Sequence, residues 1–154
     1  MRSCKLLAFA GLLALSNAAC RADDSGRVVR KLAVGRQYTA VVAEGDCEAR
    51  SIGSYSVRLY SSAGAAPGDD TVFYEAGLVL PRDGSVEKIM LDRLDGKADS
   101  LIVIMRSAGS GSFLAADAFS VANGKLALRA SVGGLSPQAD PITVLRAALS
   151  RRRR

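Results

Sequence analysis

The sequence predicts an all-β fold, an antiparallel β-sandwich or flattened barrel of about eight strands with a short C-terminal helix. Three observations carry that prediction. Short runs in which apolar and polar residues alternate recur along the chain, which is the period of half-buried strands. Turn signals separate the runs, among them Gly35-Arg36, Asp83-Gly84, Asn123-Gly124 and Gly133-Gly134. Helical spacing is found near the end, where Ile142, Leu145 and Leu149 fall on one face after an Asp140-Pro141 start.

Taken in order, Val28 to Val34 and Gln37 to Ala43 read as β-prone runs, and Glu44-Gly45-Asp46-Cys47-Glu48 as a turn-rich loop. Tyr55, Val57 and Leu59 alternate with Ser54, Ser56, Arg58 and Tyr60, giving a strand with one apolar face. Ser61 to Asp70, with Gly64, Pro67 and Gly68, is a loop. Val72, Tyr74, Ala76 and Leu78 mark the next strand, which Pro81 and the Asp83-Gly84 turn should end, with Val86 to Leu91 as its neighbour. Asp92 to Asp99 has a faint likeness to a calcium loop. Lys97 and Ala98 stand where such a loop needs a ligand and a glycine, so the stretch reads as a turn and no metal site is expected.

Leu101 to Met105 is an unbroken apolar run with β-branched members, as in a strand covered on both faces. Phe113, Ala115, Asp117 and Phe119 alternate with Leu114, Ala116, Ala118 and Ser120 in the following strand, where Asp117 is read as facing solvent. Leu126, Leu128, Ala130 and Val132 form one face of a half-exposed strand that Gly133-Gly134 should end. Arg146 and the closing arginines suit the C-terminal end of the helix.

Residues 1–19 read as a signal peptide: Arg2 and Lys5 precede an apolar stretch too short to span a bilayer, and Ser16-Asn17-Ala18 fits small-x-small cleavage. Residues 20–26 are then a linker, 27–150 one β domain and 151–154 a basic tail. Export would leave Cys20 and Cys47 as an even pair in an oxidising compartment, and a disulfide between them is expected. The competing reading takes Ala18-Ala19-Cys20 as the end of a lipid-attachment box, although Asn17 stands where that box wants an aliphatic residue. Of the 21 basic residues, two lie in the leader and four in the tail, so the body balances its 15 acidic residues. Without a basic face interleaved with aromatics, an exported chain of this kind is not expected to bind nucleic acid. No membrane span and no cofactor are expected. The absence of histidine removes the usual general base and the commonest zinc ligand, so no catalytic residues are assigned.

One stretch has no core to serve. Arg106-Ser107-Ala108-Gly109-Ser110-Gly111-Ser112-Phe113 joins the two central strands, and its small residues suit a projecting loop. Gly109 and Gly111 are read as supplying positive φ, and the serines offer hydroxyls that a Gly/Ala/Ser tip cannot bury. The plain alternative is a flexible hairpin turn.

Gly53 to Tyr60, Ala76 to Gly84, and above all Arg106 to Phe113 with Ala116-Asp117-Ala118-Phe119 resemble the periplasmic inhibitors of invertebrate-type (I-type) lysozyme. That resemblance covers most of the mature chain and implies an all-β, periplasmic, non-enzymatic protein. Its exposed Ser-Gly-x-Tyr loop would enter the lysozyme cleft, with Ser110, Gly111, Ser112 and Phe113 in the signature positions. Phe113 departs from the family's tyrosine. The resemblance makes lysozyme the partner and Ser107, Gly109, Ser110, Gly111, Ser112 and Phe113 the binding loop, with Arg106 either at its rim or paired on its own sheet. A glycosidase cleft holds two carboxyl groups, and a narrow protrusion bearing hydroxyl and amide donors fits between them. The rival reading is a periplasmic binding module for a cell-wall fragment or envelope protein, without catalysis.

Overall fold

The structure is a computed structural model describing residues 29–66 and 72–151. Two four-stranded antiparallel sheets face each other in it. The first has the order β1 (Val29–Val34), β2 (Tyr38–Glu44), β3 (Ile52–Ser61) and β4 (Phe73–Asp83). The second has the order β5 (Ser85–Asp92), β6 (Ser100–Arg106), β7 (Leu114–Ala122) and β8 (Lys125–Leu135), followed by helix α1 (Pro141–Arg151). Each sheet is a meander in which sequence neighbours pair, and the two remain separate, so the fold is a sandwich rather than a flattened barrel.

Alternation explains the layers. Tyr55 and Val57 of β3 point inward with Ala40 and Val42 of β2, and meet Leu101, Val103, Met105 and Phe119 from the second sheet. The intervening Ile102 and Ile104 point the other way, to Ala116, Ala118, Leu145 and Leu149. The unbroken run in β6 is therefore buried between a sheet and a helix, the condition that a continuous apolar strand requires. Asp140 caps α1 as expected: its carboxylate accepts from the backbone N–H of Ile142 (3.1 Å) and Thr143 (3.2 Å) and from the Thr143 hydroxyl (2.6 Å).

Five expectations need correction. Pro81 does not end β4 but lies inside it, opposite Ser54, because β4 is an edge strand and loses nothing by lacking an N–H on its free side. Val86 to Leu91 is not the neighbour of β4. Gly84 alone, at φ 83°, carries the chain from the first sheet into β5 of the second. Gly133-Gly134 does not end β8, which continues to Leu135 through an irregularity in its pairing with β7, and Gly134 takes φ 65° there. A second shift, between Ala118 and Phe119, separates residues whose alternation had placed them on one face: Leu126 packs on the core between the sheets, whereas Ala130 and Val132 pack toward α1.

The fifth correction is Asp117, which is buried rather than facing solvent. Its Oδ2 accepts a 2.5 Å hydrogen bond from the hydroxyl of Tyr55 across the two sheets. Burial, reinforced by that bond, pushes the Tyr55 phenol upward. In the turn between β5 and β6 the carboxylates are engaged by the chain itself. Arg93 meets Asp99 (3.0 Å), and Asp95 accepts from the Lys97 backbone N–H (3.2 Å) and Arg129 (3.1 Å). Those hydrogen bonds, Lys97's first, lower Asp95 to about 2.

Candidate binding loop

Residues 107–113 connect β6 and β7 beyond the last ladder pair, Arg106 opposite Leu114. The loop is closed by its own backbone. Ser107 N–H donates to the Phe113 carbonyl (2.8 Å), Phe113 N–H donates to the Ser107 hydroxyl (3.1 Å), and Ser112 N–H donates to the Gly109 carbonyl (3.0 Å). Ser107 thus uses its oxygen inside the loop. Ser110 and Gly109 are exposed at the tip, and the Ser110 hydroxyl has no hydrogen-bond partner among the described residues.

The expected role of the glycines changes. Neither Gly109 nor Gly111 takes positive φ; Ser112 does, at 44°, where it completes the turn begun at Gly109. Gly111 makes room for a ring instead. A Cβ there would lie 2.3 Å from Cε2 of Phe113, whose half-exposed ring folds back over the glycine and would have to swing away.

Arg106 pairs on its own sheet, as one of the two readings of the sequence had it. Its Nε and Nη2 donate to the two carboxylate oxygens of Glu87 on β5 (2.6 and 3.0 Å), and its Nη1 donates to the Ser112 carbonyl (3.2 Å). One guanidinium therefore ties the far side of the loop to the neighbouring strand. The same hydrogen bonds hold Glu87 below the usual carboxylate range and raise Arg106. Ser85, Glu87, Arg106, Ser107 and Ala108 line a recess of about 340 Å³ beside the loop's root.

Beneath the loop lies a second support that the sequence reading missed. Arg82 is buried, and its guanidinium donates to the carbonyls of Arg50 (2.8 Å), Ala49 (3.2 Å), Ser54 (3.2 Å) and Gly84. It thereby fastens the β2–β3 loop to the joint at Gly84, whose N–H donates to the Ser51 carbonyl (2.7 Å). Alternation held the signal: Leu78, Leu80 and Arg82 share one face of β4, and the leucines pack on the core. Cys47 lies in the same β2–β3 loop at φ 62° and is disulfide-bonded, whereas Cys20 lies outside the described residues, as do all of residues 1–28, with the expected signal peptide, and 152–154.

The sandwich presents its β6–β7 loop as a braced protrusion, a form suited to contact with another macromolecule. Residues 26–149 match the family model of the periplasmic lysozyme inhibitor of I-type lysozyme, and the chain belongs to that family. Among solved structures it is similar to the inhibitor PliI-Ah of Aeromonas hydrophila, with 42% identity and a TM-score of 0.67 over 77% of this chain and 98% of that one. It is equally similar to the Aeromonas hydrophila inhibitor in complex with Meretrix lusoria lysozyme, with 43% identity and a TM-score of 0.66 over 77% and 95%. Comparison with curated proteins gave no match. Family membership makes the chain a periplasmic inhibitor protein rather than an enzyme, and the matches do not favour the reading as a cell-wall binding module.

Proposed function

We propose that this chain inhibits I-type lysozyme by inserting the Ser107–Phe113 loop into the active-site cleft and occupying the catalytic carboxylates. The carrying observation is the Ser110 hydroxyl, exposed at the tip of a loop that its own hydrogen bonds and Arg106 hold in shape. A hydroxyl presented in that way meets a carboxylate without first breaking an internal bond. Support comes from the solved relative that is bound to a lysozyme.

Ser110→Ala should weaken inhibition by about 1–3 kcal/mol while leaving the melting temperature nearly unchanged, because the hydroxyl makes no bond among the described residues. Phe113→Tyr, which restores the family's hydroxyl, should maintain or tighten binding. Titrating each variant against an I-type lysozyme in a lysis assay decides the matter. Unaltered inhibition by Ser110→Ala would remove the loop from the mechanism.

We infer that Cys47 pairs with Cys20, tying the start of the mature chain to the loop that Arg82 fastens. Mass spectrometry of non-reduced peptides from exported protein should show that pair, and Cys20→Ser should lower stability by about 3 kcal/mol. Recovery of an acylated Cys20 would select the lipoprotein reading.

A further inference from the structure

The two sheets of the sandwich are finished differently. The second carries α1 on its outer face, whereas no described element covers the outer face of the first. Register identifies what that bare face presents. Lys31, Val41, Arg58 and Gly77 form one row across all four strands, and Ala33, Thr39, Tyr60 and Tyr74 form the next. Along the β4 side stand three large apolar or aromatic side chains that a folded chain has reason to hide: Val79 is 72% exposed, Ile52 70% and Tyr74 61%. Lys31 and Arg58 are both exposed, and neither has an ion-pair partner among the described residues. The only acid that the strand register places on this face is Asp83, at its corner opposite Ile52.

We propose that this face docks on an anionic lipid surface. Protruding apolar groups enter the boundary between headgroups and acyl chains, tyrosines favour that same boundary, and the two long cationic side chains reach the phosphates around them. Charge argues against the other occupants. A second copy packed face to face about a two-fold axis would bring Lys31 and Arg58 against their own images, with Asp83 at the corner as the one strand acid to offset them. A saccharide needs a flat aromatic platform, but Tyr60 and Tyr74 meet edge to face at 74° and present no shared plane. Gly77 shapes the surface: a Cβ there would lie 2.8 Å from the Tyr74 hydroxyl, so the missing side chain lets the tyrosine lie along the sheet.

Co-sedimentation of the mature protein with vesicles of phosphatidylglycerol and phosphatidylcholine, against phosphatidylcholine alone, tests this. A chain ending at Arg151 is used throughout, so that the last three arginines contribute nothing. Binding should require the anionic lipid, weaken with salt, and fall about tenfold or more in Lys31→Gln/Arg58→Gln. Val79→Ser should weaken it further, with melting temperatures unchanged. The proposal is overturned if the shortened chain ignores phosphatidylglycerol vesicles, or if binding survives Lys31→Gln/Arg58→Gln. Sedimentation equilibrium showing a dimer that Val79→Arg dissolves would overturn it in favour of a second copy.

Discussion

Replacing Gly84 with alanine is expected to cost more than about 4 kcal/mol of folding stability, which leaves little or no folded protein at ambient temperature. Two independent penalties meet at this residue. Its φ of 83° is a conformation that side chains other than glycine rarely adopt, and a Cβ there would lie 1.8 Å from the Arg106 carbonyl oxygen and 2.5 Å from the Ser107 Cα. Both obstacles are backbone, and Arg106 is fixed by its ladder pairings with Ser85 and Leu114. Relief by movement would therefore open the place where the first sheet hands the chain to the second, and would displace the root of the β6–β7 loop. Gly96→Ala is the control: its φ is 72°, but nothing lies within 4 Å of the added methyl group. It should cost only about 1–2 kcal/mol. Urea denaturation of both variants makes the comparison. A Gly84→Ala protein as stable as Gly96→Ala would mean that the two loops do not close on this joint.

Tyr55→Phe is expected to destabilise by about 2–4 kcal/mol, far more than the loss of one hydroxyl at a surface. Tyr55 is fully buried and Asp117 nearly so, and the 2.5 Å bond between them is the donor that the structure gives the Asp117 side chain. Removing the phenol oxygen leaves that carboxyl group among Val103, Phe119 and their neighbours without compensation. The companion experiment is Tyr55→Phe with Asp117→Val, which removes both polar groups together and should recover most of the loss. Calorimetric melting of the two single variants and the double variant gives the coupling. Additive losses would show that the two side chains do not depend on each other.

Much of this was legible from the pattern of side chains. The run from Leu101 to Met105 announced a strand covered on both faces, and the spacing of Ile142, Leu145 and Leu149 announced the helix that covers one of them. What escaped depended on contacts between sheets. Asp83-Gly84 has the composition of a hairpin turn, yet the chain uses it to change sheets, and only the partners of β5 reveal which. Asp117 shares its parity with Ala115 and Phe119, so alternation pointed inward while its charge pointed outward. The charge misled because the compensating hydroxyl is 62 residues away. The candidate binding loop between β6 and β7 shows the same division. Its small, polar composition gave its place and its exposed serine, but its bracing was hidden because Glu87 lies 19 residues from Arg106. The positive φ falls on Ser112 rather than on either glycine, since the turn that closes the loop ends there.

Pro81 has a wider consequence. β4 is a long edge strand with exposed apolar residues, and such edges are templates on which further chains add as strands and grow into aggregates. Proline removes one donor from the open ladder near its end, and the register shift opposite Leu59 and Tyr60 disturbs the ladder near its start. Only Ala76 to Leu80 remains as regular, unprotected edge, shorter than the six- or seven-residue segments, roughly, that build stable cross-β stacks. The residue that looked like a strand breaker thus interrupts the apolar border along which further strands would otherwise add.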